Sequence, residues 1–213
     1  ISVTGDVDEL GNPDTKGSDI DIAWEPFENR MNATPKDSLL SVYGDVEFDG
    51  KMTIEPEGIQ GKGSLSMEEY TIVSDHFSFY QNSLTADMAS LKIHSQYQQE
   101  DPNNKEKKDD LVSDKTRIRV DFNNKTIELS PEESGSSISF PENQFKSLQT
   151  SLSWKIGDPI VHLSDADYIS LNNNQNGLKI HGQSSNFSRV DYSIQLEGVE
   201  SIEVADAVIF PGL

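Results

Sequence analysis

The sequence contains no cysteine among its 213 residues. Disulfide scaffolds, thiol catalysis and cysteine-ligated zinc sites are therefore excluded. Basic residues are scarce, because 17 lysines and arginines stand against 37 aspartates and glutamates and the formal net charge is -20. A field of that sign repels phosphate backbones, so we expect no nucleic-acid partner. Hydrophobic residues make up only 34% of the chain. No apolar run approaches the roughly 18 residues of a membrane-spanning helix, so we expect no such helix.

Short segments in which polar and apolar residues alternate fill most of the sequence. Segments 19–24 and 118–122 are clear examples, and a period of two is typical of half-buried β-strands. Turn residues separate these segments, and their spacing predicts about fourteen to eighteen strands. The pattern allows one short helix over 143–152, and it allows either a loop or one short helix over 25–40. The sequence therefore predicts an all-β fold, either an elongated jellyroll or solenoid-like stack of short strands or a β-sandwich.

A small residue followed by aspartate recurs before alternating apolar positions. The four copies centre on Asp75, Asp87, Asp165 and Asp206. An aspartate can accept hydrogen bonds from nearby backbone N–H groups, so we interpret these positions as the starts of strands. The copies are unevenly spaced, which favours an irregular stack over a strict repeat.

Segment 96–115 interrupts the alternation. It is charged, rich in amides and nearly free of apolar residues, a composition typical of a long surface loop. We therefore divide the chain into a first β segment over 1–95, a mobile charged loop over 96–115, and a second β segment of the same stack over 116–213.

Several segments carry a family resemblance. Segments 84–89 and 204–208 look like parts of the strand pattern "apolar, x, Ala, Asp, x, Ala, x, Tyr", and segment 61–66 is rich in glycine. They resemble the strands of the periplasmic lipopolysaccharide-transport jellyroll (the OstA/Lpt family) and of TamB- and AsmA-like envelope proteins. Segments 43–50 and 202–211 look like parts of large envelope proteins from Bacteroidetes-type bacteria.

The resemblance implies a fragment of a larger bacterial envelope protein, located in the periplasm or associated with the outer membrane. The expected function is a non-enzymatic structural or lipid-conducting role. The expected partners are other segments of the same long chain or envelope proteins, and lipid in the conducting case. The alternative is a surface β-sandwich that binds glycan or protein through exposed aromatic residues, for which Trp24, Tyr43, Tyr97, Trp154 and Tyr168 are the candidates.

A lipid groove would need inward-facing apolar side chains along the stack. The candidates for its lining are Phe48, Met52, Leu65, Phe77, Phe79, Leu91, Phe122 and Ile127. The other interpretation of these residues is an ordinary packed core.

No catalytic motif stands out, and we predict neither an enzyme nor a cofactor. A loop with Asp6, Asp8, Asn12 and Asp14 offers oxygen ligands of the kind that calcium prefers. It does not match the EF-hand pattern, so an acidic turn is the favoured interpretation and no metal site is predicted. The four histidines lie inside strand patterns without metal-ligand spacing, and we interpret them as structural or surface residues.

Overall fold

The computed structural model describes residues 20–35, 39–96, 108–132 and 135–211. These residues form eighteen β-strands and one short 3-10 turn (Asn173–Gln175), without an α-helix. The strands are β1 (Ile20–Glu25), β2 (Arg30–Pro35), β3 (Leu40–Val42), β4 (Val46–Glu55), β5 (Gly58–Ser66), β6 (Tyr70–Phe79), β7 (Ser83–His94), β8 (Asp109–Asp114), β9 (Thr116–Asp121), β10 (Thr126–Pro131), β11 (Ser137–Phe140), β12 (Phe145–Leu148), β13 (Ser151–Lys155), β14 (Ile160–Ser170), β15 (Lys179–Ser188), β16 (Ile194–Glu197), β17 (Ser201–Val204) and β18 (Ala207–Ile209). The all-β prediction is confirmed.

Two details of the prediction are wrong. The short helix expected over 143–152 is absent, because these residues form a turn, β12 and the start of β13. The charged loop expected over 96–115 ends earlier than predicted, because 109–114 form β8. In β8 the buried positions include Leu111 and Ser113, which pair with neighbouring strands despite the charged flanks. Residues 97–107 lie outside the described part of the chain.

Every strand pairs antiparallel with its neighbours, and the long strands change partner near their midpoints. In β7, residues 83–89 pair with β9 and residues 92–94 pair with β8. In β14, residues 162–164 pair with β13 and residues 167–170 pair with β12. Pairing therefore runs in a closed circuit of eight strands, β7–β9–β10–β13–β14–β12–β11–β8, with the remaining strands outside it.

The midpoint bends divide the sheet into two facing layers. Layer A contains residues 20–35, 51–61, 76–87, 116–131, 151–164 and 184–197, and layer B contains residues 40–50, 63–74, 89–94, 108–114, 137–148, 166–182 and 201–209. Aromatic rings meet across the layers, since Phe48 of layer B lies 5.4 Å from Phe79 of layer A, and Phe140 of layer B lies 5.0 Å from Phe187 of layer A. The fold is thus a sandwich of jellyroll-like character, built from strands that fold over.

The burial pattern shows how a strand folds over without turning its apolar face outward. Buried residues are two positions apart within each half but three apart at the bend, as at Ala86 and Ala89 or at Leu163 and Ala166. Two consecutive outward-facing residues occupy the bend, which has the geometry of a β-bulge. One of the two often has a left-handed backbone, as at Met88 (φ 47°) and Asp165 (φ 55°).

The aspartate motif belongs to these bends and turns. Asp75, Asp87 and Asp165 lie in the middles of β6, β7 and β14, and Asp206 lies in the turn between β17 and β18. Their interpretation as strand starts is therefore wrong. The bend presents outward-facing positions, and aspartate tolerates both exposure and, at Asp165, the left-handed conformation.

Small hydroxyl side chains line the inner side of the bends, and we call this row the fold line (Ser74, Ser113, Thr116, Ser147 and Thr150). All five are buried. The Ser74 hydroxyl donates to the carbonyl oxygen of Asp87 at 2.6 Å, and that of Thr116 donates to Ala89 O at 3.2 Å. The bends interrupt the backbone ladder, and these hydroxyls satisfy groups that the ladder leaves unpaired.

Candidate functional site

The predicted lipid-groove residues lie in the space between the two layers. Seven of them are buried in one apolar cluster, with exposed fractions of 5% or less, and Phe122 is half-buried against it. Phe48 packs edge-on against both Phe77 and Phe79, at ring distances of 5.7 Å and 5.4 Å. Side chains from opposite layers are thus in direct contact at positions where a groove would need separation.

Two clusters of polar contacts tie the tips of the layers together, on the side opposite the fold line. The first is centred on Tyr43, in the turn between β3 and β4 of layer B. Its hydroxyl lies 2.6 Å from Tyr80 O and 2.9 Å from Ser83 O in layer A, and its ring stacks on Phe122 at 4.0 Å. Burial raises the pKa of Tyr43, so the hydroxyl stays protonated and can donate.

The second cluster, which we call the arginine clasp, is centred on Arg189, just after β15 in layer A. Its Nε donates to Asp110 Oδ2 at 2.9 Å and its Nη2 donates to His94 O at 2.8 Å. The Tyr192 hydroxyl donates to the other oxygen of Asp110 at 3.2 Å. The guanidinium also lies over the Trp154 ring, 5.0 Å from its centroid.

Both charged partners of the clasp are fully buried. Arg189 and Asp110 are 79 positions apart in the chain, and neither belongs to a motif that sequence reasoning recognises. The structure brings them together because β8 and the end of β15 reach the same tip of the sandwich. The clasp closes this tip and is a structural element rather than a binding surface.

One histidine joins a chain of polar groups on the outside of layer B. Thr71 Oγ1 lies 2.9 Å from His94 Nε2, and His94 Nδ1 lies 2.9 Å from Asp109 Oδ1. Hydrolases use such a hydroxyl–imidazole–carboxylate chain for nucleophilic catalysis. Here the three groups come from β6, β7 and β8 and lie along an open sheet face, where they link adjacent strands. The interpretation of the histidines as structural stays a prediction.

A concavity with a volume of about 600 Å³ lies on the outer face of layer A. We call it the outer groove. Outward side chains of five strands that are neighbours in the sheet line it in two rows. The first row contains Thr85, Arg119, Glu128, Ser153 and His162. The second row contains Arg117, Ser130, Ser151 and Ser164. The first row is continuous, because each of its members is the cross-strand partner of the next.

Charge is unevenly satisfied in the outer groove. Arg117 donates to Asp87 at 2.8 Å and to Glu132 at 3.1 Å, and both contacts raise its pKa. His162 Nδ1 lies 2.6 Å from the amide oxygen of Asn186. Arg119 makes no ion pair or hydrogen bond within the described residues, and its charge is among the causes that lower the pKa of Asp121 on the same strand. Sequence reasoning missed this site, because its rows exist only once the strand register is known.

The remaining site predictions have different outcomes. The calcium candidates Asp6, Asp8, Asn12 and Asp14 lie outside the described residues. Within the described part of the chain, no three acidic or histidine side chains gather as a metal site requires. The prediction that aromatic residues form an exposed row for glycan binding is wrong. Trp154 and Tyr168 are buried, whereas Trp24 is exposed at the end of layer A away from Trp154. The described ranges contain no helix that is long and apolar enough to cross a membrane.

Comparisons with protein-family models, with curated proteins and with solved structures found no match for this chain.

Proposed function

We propose that this chain is a non-enzymatic structural β segment of a larger bacterial envelope protein, of the repetitive jellyroll type that its sequence resembles. The observation that supports the proposal is an open, apolar end of the sandwich at β16, β17 and β18. The envelope location, periplasmic or associated with the outer membrane, is proposed from the sequence resemblance alone.

The open end exposes both backbone and apolar side chains. Within the described residues, β18 pairs only with β17, and β16 pairs only with β15. Val208, Ile209 and Phe210 are exposed by 54%, 53% and 74%. Exposed apolar edge strands invite pairing with a further strand, and soluble proteins usually protect them. The natural partner for such an edge is another β segment of the same protein or of a neighbouring envelope protein.

The core thins toward the same end. Inward residues of β14 such as Val161 and Tyr168 are fully buried, whereas Leu196 of β16 and Ile202 of β17 are only half-buried. An added strand on each layer would bury these side chains and gain hydrophobic stabilisation. The structure therefore favours a segment that continues into a neighbour.

Lipid conduction has less support than the structural role. A conduit needs a continuous space for acyl chains, but the predicted lining residues contact one another across the layers. The arginine clasp and the contacts of Tyr43 also hold the tips together. We therefore propose the structural role, and a measurement of bound lipid tests the conducting role.

The test uses sedimentation velocity on the chain over a wide range of concentrations, with a second copy standing in for the adjoining segment. We expect association that the double substitution Val208→Lys and Ile209→Lys abolishes. The matched control is Val73→Lys, because Val73 is similarly exposed but lies in β6, which has paired strands on both sides. A chain that stays monomeric, or an edge variant that associates as the control does, would contradict the proposal.

A further inference from the structure

The outer groove lies on interior strands, which determines what can bind there. Its five strands, β7, β9, β10, β13 and β14, each pair on both sides. Their backbone groups are engaged in ladders, so a peptide cannot bind by adding a strand. Recognition has to come from side chains that stand on the sheet face.

The side chains of the outer groove are polar. Its apolar lining residues, Leu129, Leu152 and Leu163, are buried in the core and leave the outer surface to hydroxyl groups. Hydroxyls both donate and accept hydrogen bonds, and this matches the hydroxyl groups of a sugar.

Arg119 adds one cationic group to these hydroxyls. It is exposed, and it lies in the first row between Thr85 and Glu128. The other arginine of the groove, Arg117, is already paired with two carboxylates. The groove therefore offers one available guanidinium, which can bind a carboxylate through two parallel hydrogen bonds. A polyanion would also meet Glu128, Asp87 and Glu132, and the net charge of -20, so a single acidic group fits better.

We propose that the outer groove binds a hydroxyl-rich oligosaccharide that carries a carboxylate, such as a uronic acid residue. Arg119 binds the carboxylate, and the hydroxyls of Ser153, Ser130 and Ser164 bind the sugar hydroxyls. Nε2 of His162 forms a hydrogen bond with a further sugar hydroxyl. This binding does not depend on the structural role proposed above, because the groove lies away from the open edge at β18.

Isothermal titration calorimetry of the full chain tests the proposal with an oligosaccharide that carries a single uronic acid residue, and with a neutral oligosaccharide of equal length in which the corresponding hexose replaces that residue. We expect the uronate oligomer to bind and the neutral one to bind at least about tenfold more weakly. Arg119→Gln should weaken uronate binding by a similar factor, and Arg119→Lys should weaken it less. The matched control is Lys155→Gln, which removes an exposed cation of β13 outside the groove lining.

Four results would overturn the assignment. Three are comparisons: equal binding of the neutral and acidic oligomers, an unchanged affinity in Arg119→Gln, and an equal loss in Lys155→Gln. The fourth is the absence of uronate binding by a chain whose folding has been verified by circular dichroism. Because Arg119 is exposed and makes no ion pair within the described residues, its substitution should leave the fold intact, and the affinities can be compared directly.

Discussion

At the scale of single residues, the arginine clasp has the strongest consequence for stability. Arg189 and Asp110 are both removed from water, and each is tolerated only because the other neutralises it. Tyr192 and the carbonyl oxygen of His94 provide further hydrogen bonds to the pair. Removal of one partner would leave the other charge buried without compensation.

Asp110→Asn should therefore lower the free energy of unfolding by about 3–5 kcal/mol. Asp109→Asn, one residue earlier, is the matched control, because the Asp109 side chain is 20% exposed and can be hydrated when its contact with His94 is lost. We expect the control to lose about 1 kcal/mol or less. Urea unfolding followed by tryptophan fluorescence measures both values, and equal losses would show that the buried pair has no special role.

A buried tyrosine makes stability depend on alkaline pH. Burial raises the pKa of Tyr168 from 10.0 to about 12, with its hydrogen bond to Ser185 acting in the opposite direction. The folded state thus keeps its proton at pH values where the unfolded state loses it. The stabilisation is complete below pH 10 and is lost as the pH rises toward about 12.

Tyr168→Phe removes the titrating group and should flatten this part of the pH profile. We expect the wild type to lose about 1–3 kcal/mol more than the variant between pH 9 and pH 12. Chemical denaturation at each pH gives the two slopes, and comparing slopes cancels the constant cost of losing the Ser185 hydrogen bond. Parallel slopes would mean that Tyr168 ionises equally in the folded and unfolded states.

At the scale of elements, the fold line explains how long strands bend without leaving backbone groups unsatisfied. Thr116 follows the bend between β8 and β9, where Lys115 has a left-handed backbone (φ 54°). Its buried hydroxyl donates to Ala89 O and contacts the Ser113 hydroxyl at 3.2 Å. Ser113 in turn accepts from the N–H of Leu91. One hydroxyl pair thereby joins the bends of two neighbouring strands.

Thr116→Val keeps the shape of the side chain and removes this hydroxyl. We expect a loss of about 1–3 kcal/mol in unfolding free energy, because Ala89 O loses its donor in a buried position. Thr126→Val is the control, since Thr126 is half-buried and faces outward on β10 of the same layer. Thermal or urea unfolding measures the free energy of unfolding of both variants. An equal loss in the control would contradict a stabilising role of the fold-line hydroxyl.

The strands were predictable from the sequence, but the way they fold over was not. Alternation predicts the apolar positions of β4 and β7, and inward residues such as Phe48 and Leu91 are buried. The only trace of the bend in the sequence is that the inward-facing residues Ala86 and Ala89 are three positions apart instead of two. The same spacing also occurs where a strand ends. This ambiguity explains why the sequence pattern at Asp87 indicates a strand start rather than a bend.

The sites depend on distant pairings that no local pattern encodes. The partners Arg189 and Asp110 meet because two strand ends converge, and Arg119 and His162 lie in one row only through the register of three strand pairs. Hydrophobic alternation fixes which face is inward but does not say which strands become neighbours. The arginine clasp and the outer groove therefore required the structure.

At the scale of the whole molecule, the sandwich is filled in its interior and open at an end. The two layers share one apolar cluster, and the contacts at their tips hold them closed. The β18 end keeps an exposed apolar edge. These features together favour a segment that holds neighbouring β segments in line over one that carries lipid between its layers.

Native mass spectrometry of the chain after incubation with phospholipid solubilised in detergent micelles distinguishes the two roles. The structural role predicts the mass of the protein alone and of its multimers, with no lipid retained once the detergent is removed. A lipid-conducting role predicts retained acyl lipid, which Leu91→Trp should reduce by filling the space between the layers. Retained lipid that responds to this substitution would contradict the filled interior.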